Sequence, residues 1–443
     1  MLRLGLIVVA VGVFAGCTER VNVCNSDSDC NDPAYPFCDV KGEYAESGMT
    51  PMSCSITPAS CPLERCGCTP GKVTCEGETR STCNADGKDV TTETCTLGCA
   101  SDGLSCQVFD PSNGLLNQLL ASAESPDVML ASATIDTTTG VVKDGGVPVN
   151  VESVTVAQTS GPSIRVLLAH SWTLYNVRVT GSMPLALVSV GQIALHGNLD
   201  ASATLAVAGP GALDLGVCVG QATIDGGGGG GNVTAGGTSS QRIPTTGQPP
   251  PPPAAAGGSA VPGLSPFVGG CAGGAPRDAN GTFLAAPAPG GGAIQLSSMT
   301  RIDIPLAAQI NLGGGGGSAS PGGGGSAGNL ILEAPEMLIR GGLFLNGGSG
   351  AACGLPGNNG PRDVAQAAAQ SCVTQVGPVM LTTHSGKGGA GTLAPGSGGG
   401  SAGGPAGGGG AAGKARIATR SGSADIAGAR ISAALEQATL NVH

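Results

Sequence analysis

Cysteine is the residue type in this 443-residue chain with the clearest capacity for chemistry. There are 17 cysteines. Twelve crowd into one stretch: Cys24, Cys30, Cys38, Cys54, Cys61, Cys66, Cys68, Cys75, Cys83, Cys95, Cys99 and Cys106. With Cys17 set aside the remainder is even, and the stretch follows an apolar N-terminus. That combination reads as a disulfide framework formed in an oxidising compartment. Residues 21–108 hold few large apolar side chains, so cross-links must restrict the unfolded chain where a core cannot. Zinc is the competing chemistry, because Cys66-Gly67-Cys68 and Cys95-x₃-Cys99 have ligand-like spacings. The even count and the lack of any histidine before His170 weigh against it. Asn25-Ser26-Asp27-Ser28-Asp29-Cys30-Asn31-Asp32 alternates short oxygen side chains suited to Ca²⁺. A solvated turn explains the same residues, and the EF-hand glycine and glutamate are missing. The expectation is no metal and no cofactor.

Other catalytic patterns fail on context. Gly324-Gly325-Ser326-Ala327-Gly328 and Gly399-Gly400-Ser401-Ala402-Gly403 match G-x-S-x-G. They lie in glycine runs, without the strand and helix a nucleophile elbow needs. Gly408–Gly413 with Lys414 has phosphate-loop spacing, but Ala415 stands where a hydroxyl must hold Mg²⁺. His170, His196, His384 and His443 show no paired-ligand spacing and read as surface residues. A sugar-cleaving site needs converging carboxylates beside a cation. The first place to look is Asp200 and Asp214 with Arg178. Aromatic platforms for sugar are scarce, Trp172 and Tyr175 being the main candidates. No catalytic residue is expected.

The N-terminus carries a different chemistry. Met1-Leu2-Arg3 supplies one positive charge and Leu4–Ala15 is apolar or glycine, the form of a secretory signal over 1–16. Phe14-Ala15-Gly16-Cys17 resembles the lipobox of bacterial lipoproteins, with Phe14 where leucine is usual. The resemblance implies cleavage before Cys17, diacylglycerol and palmitate at that residue, and a lipidated tether over 17–23. Thr18 in place of aspartate implies the outer membrane of a Gram-negative cell. Buried acyl chains contribute about 0.8 kcal/mol per CH₂. A plain secretory signal with a coincidental cysteine is the alternative.

Composition narrows the field further. Glycine accounts for 79 residues and proline for 31, aromatics for 2% and charged residues for 11%. A charged share less than half the usual one argues against an evenly composed globular enzyme. Glycine does not recur every third residue, which excludes collagen. A net charge of -10 without a basic cluster argues against nucleic acid as partner. Residues 1–110 hold 15 acidic against 7 basic side chains, and the remainder 15 against 13. The disulfide-rich head, 24–106, therefore carries most of the net charge.

The elements that must position anything in 111–443 are short strands. Asn113–Ala123 reads as a brief helical cap. Val151–Val156, Ile164–Leu168 and Trp172–Val179 are β-branched or apolar runs bounded by Gly, Pro or Ser. Ile193-Ala194-Leu195-His196-Gly197-Asn198-Leu199 then matches Met337-Leu338-Ile339-Arg340-Gly341-Gly342-Leu343. Ala186–Val190 precedes the first and Leu330–Pro335 the second. Ala293–Leu296, Ile302–Ile304 and Ile310–Leu312 make a third copy, and Ala415–Ala418, Asp425–Gly428 and Ile431 a weaker fourth. Units this small cannot bury their apolar faces alone, but stacked they can. The expected fold is mainly β: a single-stranded parallel β-helix, with small disulfide-rich modules before it. An irregular β-sandwich is the first alternative, and a mostly disordered body the second. Gly197 and Gly341 are expected at corners with positive φ. Gly/Pro-rich insertions near 226–292, 313–328 and 386–413 have little side-chain area to bury and are expected as exposed loops. Cys218 and Cys271 bracket the first excursion. Cys353 and Cys372 bracket Asp363–Gln370, expected as a short helix. Pairing 218–271 and 353–372 would clip each excursion, and pairing across excursions is the alternative.

Two sets of residues carry a resemblance to the cysteine-rich, glycine-rich surface lipoproteins of myxobacteria. One is Cys24-x₅-Cys30-x₇-Cys38 with Cys75-x₇-Cys83-Asn84-Ala85-Asp86-Gly87, Cys95-Thr96-Leu97-Gly98-Cys99 and Cys106. The other is Ile193–Ser202 and Asn329–Pro335, each followed by glycine. The resemblance implies a cell-surface location and an elongated body, with no activity. The expected role is structural or adhesive and non-enzymatic. The expected partners are the lipid bilayer, through the acyl chains, and surface glycans or other envelope proteins. A carbohydrate-binding or polysaccharide-cleaving protein is the alternative.

Overall fold

The computed structural model describes residues 68–443 except 70, 86, 88, 225, 242–251, 262, 279, 319–320, 377–378 and 400–403, together with Phe37–Asp39 and Ser53–Ser55. The chain is mainly β, 37% strand against 3% helix. It divides into compact units at residues 1–107 and 108–443. Among the described residues no helix is long and apolar enough to cross a membrane.

In the first unit, β1 (Phe37–Asp39) and β2 (Ser53–Ser55) pair antiparallel. An antiparallel meander follows, of β3 (Val73–Glu76), β4 (Thr79–Cys83) and β5 (Val90–Thr94). Its buried apolar residues are Cys75, Cys83, Cys95 and Leu97. Sulfur therefore fills the interior that aliphatic side chains fill elsewhere.

The second unit opens with α1 (Leu116–Ala121), whose flanking Leu115 and own Leu119 are fully buried. An antiparallel group follows, β6 (Val128–Asp136), β7 (Val141–Asp144) and β8 (Val147–Val149). Then β9 (Glu152–Val156) pairs antiparallel with β10 (Ile164–Leu168), and β11 (Trp172–Thr180) lies parallel to β6. From here the repeat governs the pairing. The first copy gives β12 (Leu185–Ser189), β13 (Ile193–Leu195) and β14 (Asn198–Asp200). A small antiparallel pair, β15 (Ala222–Thr223) and β16 (Gly226–Gly227), intervenes. The second copy gives β17 (Ala293–Ser298), β18 (Arg301–Ile304) and β19 (Gln309–Asn311), the third β20 (Asn329–Glu333), β21 (Glu336–Ile339) and β22 (Gly342–Phe344). The hairpin β23 (Ser371–Val376) and β24 (Val379–His384) precedes β25 (Lys414–Thr419), β26 (Arg430–Ile431) and β27 (Ala434–Thr439).

Equivalent strands pair in parallel: β12, β17, β20, β25 and β27 in one sheet; β13, β18 and β21, and β14, β19, β22 and β26, in the other. Register places Leu187, Leu296, Leu332 and Ile417 side by side. Leu199, Ile310, Leu343 and Ile431 form a second row. All but Ile431, which is partly buried and packs against it, belong to one hydrophobic core. Side chains alternate faces along a strand, so one row of aliphatics from each copy is enough to fill it.

The glycine runs of the insertions are buried, not exposed as expected, although tips such as 281–284 and 392–394 are exposed. Residues 226–231, 312–317, 322–328, 345–351 and 406–413 are buried. Their amides bond to other insertions with a period of three. Gly323 and Ser326 donate to the carbonyls of Gly274 and Cys271, Gly324 and Ala327 to Gly408 and Ala411, and Gly325 and Gly328 to Gly315 and Leu312, all at 2.8–2.9 Å. Every third residue returning to the same neighbour is the repeat of a polyproline II chain, which makes no hydrogen bonds within itself. Glycine is needed because the backbones approach closely. A Cβ on Gly229 would lie 1.8 Å from the Gly409 oxygen, and one on Gly328 1.7 Å from the Gly292 oxygen. The expectation from side-chain area failed because this array satisfies the backbone, not side chains. Each insertion runs directly into a strand, 322–328 into β20 and 406–413 into β25, and Ala327 joins the core itself.

Two smaller expectations also change. Residues 363–370 form turns and extended chain, not a helix; the Asn346 amide donates to the carbonyls of Pro361 and Asp363, drawing the segment onto the array. Gly197 and Gly341 do not adopt positive φ. Their constraint is space: a Cβ would stand 2.4 Å from the Tyr175 oxygen and 2.1 Å from the Ala308 oxygen.

Candidate functional site

The outward face of the first parallel sheet carries a polar row where the inward face is aliphatic. Gln295, Ile331, Arg416 and Glu436 are register partners on β17, β20, β25 and β27. Ser112 and Asn113, just before α1, lie over this row. Glu333, 2% exposed, fixes them there. Its carboxylate accepts from the Ser112 amide at 3.0 and 3.1 Å, the Ser112 hydroxyl at 2.6 Å, the Ser297 hydroxyl at 2.8 Å and the Gln295 amide at 3.0 Å. Four donors making five hydrogen bonds to one carboxylate are the satisfaction a buried charge requires. Asn113 has φ 65° and donates its side-chain amide to Gln295 Oε1 at 2.8 Å.

Beside this contact is a cavity of about 350 Å³ lined by Ser112, Asn113, Leu264, Lys414, Arg416 and Glu436 among others. Lys414 Nζ stands 2.8 Å from Glu436 Oε2, and Arg416 Nη1 donates to Ser112 Oγ at 3.1 Å. Arg416 Nε is buried without a hydrogen-bond partner, 3.7 Å from Glu436 Oε1. The hydrogen bond from Lys414 chiefly holds the Glu436 carboxyl below its usual range; burial opposes this, and the charges of Lys414 and Arg416 assist. A second cavity, about 170 Å³, shares Asn113 and Ser265 with the first and adds Gln158, Thr159 and Ser160.

The cysteines fall into described and undescribed sets. Cys68–Cys83, Cys75–Cys99 and Cys95–Cys106 are disulfides in the first unit. Cys218–Cys271 and Cys353–Cys372 are disulfides in the second. Each of those two closes its own excursion. Cys38 and Cys54 are register partners in β1 and β2. Cys17, Cys24, Cys30, Cys61 and Cys66 lie outside the described residues, as do Asn25–Asp32 and Ser401. The sulfurs of Cys75, Cys95 and Cys99 sit within 4.8 Å of one another. All three are in disulfides, which removes the thiolates a zinc ion would need.

Other predicted positions have structural partners. Ser326 is buried in the glycine array, its hydroxyl accepting from the Cys271 amide at 2.7 Å. Lys414 is in a strand, not a phosphate loop. Arg178 and Asp200 do meet, at 2.9 Å, and Arg362 reaches the same Asp200 oxygen at 2.9 Å. Asp214 is elsewhere, lining a cavity of about 710 Å³ with Leu213, Pro287 and Pro289. Burial by itself would raise the Asp200 carboxyl. The Ser202 hydroxyl, Arg178, the Ser202 amide and Arg362 together outweigh it and lower it. Trp172 is fully buried with its indole NH on the Val188 carbonyl at 3.1 Å, so it is core and not a sugar platform. Tyr175 stacks on His196 at 5.2 Å. His170 pairs with Asp127 at 3.1 Å and His443 lies 3.7 Å from Asp110, while His384 is exposed on β24.

Asn113, Glu333, Arg416 and Glu436, the residues in and around this polar face, escaped notice in the sequence. Their signal was a polar residue at an alternate position of each apolar strand, as in Ala293-Ile294-Gln295-Leu296 and Leu330-Ile331-Leu332-Glu333. The chain matches no family model, no curated protein and no solved structure.

Proposed function

We propose that this protein is a non-enzymatic lipoprotein of the outer membrane, anchored through acyl chains on Cys17, with a structural or adhesive role at the cell surface. Kinship with the glycine-rich surface lipoproteins of myxobacteria, and a body built as a parallel β-helix, belong to the same proposal. The observation that carries it is the pairing of every described cysteine outside β1 and β2 in a disulfide. Such bonds persist in exported proteins, and export agrees with the apolar N-terminus. The in-register parallel strands and shared aliphatic rows support the β-helix reading. Asp200 is tied up by Arg178 and Arg362 while Asp214 lines a different cavity, which favours a scaffold over polysaccharide cleavage. Carbohydrate binding without cleavage is the alternative, and the polar groove over β25 and β27 is the observation in its favour.

The test is fractionation of cells expressing the wild type or Cys17→Ser, with protease shaving of intact cells. Wild type in the outer-membrane fraction, lost to the soluble fraction on substitution, supports the anchor. Soluble wild type overturns it, and resistance to shaving places the protein on the periplasmic side.

A further inference from the structure

The two cavities that share Asn113 and Ser265 join into one polar groove. One end is near-neutral, with Gln158, Thr159 and Ser160. The other end holds Lys414 and Arg416 against the single carboxylate of Glu436. We propose that this groove binds an acidic oligosaccharide, with a sugar carboxylate at the Arg416 end and uncharged hydroxyls toward Gln158.

Three observations converge on a ligand of that kind. The larger cavity, at about 350 Å³, falls in the range of small-molecule sites. Arg416 Nε is a buried cationic donor with no acceptor. Arg416 and Lys414 both line the cavity, and a cationic side chain beside a sugar carboxylate makes charge-assisted bonds, the stronger kind. Asn113 holds a left-handed backbone conformation uncommon outside glycine, at the point where the cavities meet. Gln295 and the Glu333-bound Ser112 hold it in place there. Leu264 and Ile331 add apolar surface for the faces of sugar rings. Lys414 and Glu436 pair across the neighbouring strands β25 and β27 in the wall of the larger cavity.

The proposal rests on the carbohydrate-binding reading and is independent of the lipid anchor, which the fractionation tests separately. The experiment is calorimetric titration of the full chain with a galacturonate trisaccharide and with the uncharged galactose trisaccharide. The acidic sugar should bind and weaken as salt is raised, and the neutral one should bind about tenfold less tightly or not at all. Arg416→Gln should weaken the acidic sugar about tenfold. Arg416→Lys keeps the charge and removes Nε, and should fall between. If Arg416→Gln fails to fold, the Lys variant with an unchanged melting temperature carries the test. Asn113→Gly keeps the left-handed conformation while removing the amide that bonds Gln295 Oε1, and should weaken binding about threefold. Lys143→Gln, on β7, should bind as the wild type does. Equal affinity for both sugars, no binding of either, or an equal loss in Lys143→Gln would each overturn the proposal.

Discussion

The parallel ladder and the glycine array share one chain but hold together by opposite means. In the ladder, Leu187, Leu296, Leu332 and Ile417 exclude water with side chains, and the backbone bonds along the sheet. In the array there is almost no side chain to bury. Stability there comes from amide–carbonyl bonds on three sides of each segment and from contacts too close for a methyl group. The difference teaches that low side-chain area does not imply disorder. A chain that cannot form a hydrophobic core can still be immobilised when its backbone polar groups are satisfied by neighbouring segments.

The comparison can be broken most severely inside the array. Gly229→Ala would put a Cβ 1.8 Å from the Gly409 oxygen. Backbone cannot yield there without disrupting neighbouring segments, so we expect a loss of about 4 kcal/mol or more in denaturant unfolding. Leu296→Ala in the ladder should cost about 3 kcal/mol, the usual range for a buried leucine. An array alanine milder than the ladder alanine would show that the glycine segments can spread apart.

Removing the Cys218–Cys271 bond by double alanine substitution should lower stability by about 2–4 kcal/mol. Both residues lie within the array, Cys218 accepting from the Gly231 amide and Cys271 from the Ser326 amide. Loss of exchange protection should therefore spread to residues 226–231 and 322–328 and spare β20.

Asp200 tests the rim of the ladder. Its carboxyl is lowered in the folded chain. Its contribution is therefore complete above the ordinary carboxylate value of 3.8 and is lost as pH falls through the lower folded value. Asp200→Asn should cost about 2 kcal/mol at neutral pH, and the deficit should shrink as pH falls below 3.8 through the lower folded value, read as melting temperature against pH. A deficit that stays constant as the carboxyl is protonated would contradict the ion-pair account. The mildest change should be Gly428→Ala, where φ is 84° and nothing lies within 4 Å of an added Cβ. Here the penalty is conformational alone, about 1 kcal/mol. Set beside Gly229→Ala it separates glycine used for its dihedral from glycine used for its size.

The strands of the ladder were legible because alternation and a repeated apolar pattern survive in a single sequence. Ile193–Leu195 and Met337–Ile339 fall in equivalent strands for that reason. The array was not legible, since a run such as Gly226–Gly231 has no side-chain periodicity to read. Its period of three exists only in the partners of its amides, which are distant in sequence. Groove chemistry was half visible. Gln295 and Glu333 broke the apolar strands, but their meeting with Ser112 depends on contacts more than a hundred residues apart. The pairing of Arg178 with Asp200 followed from strand order, whereas Asp214 went astray because the chain turns into the array before it.

Amide hydrogen exchange resolved to residues 226–231, 322–328 and 406–413 tests the central claim most directly. The account predicts protection comparable to that of β17, β20 and β25, because these amides are buried and bonded. Exchange at the rate of an open glycine linker, with the ladder strands still protected, would contradict it.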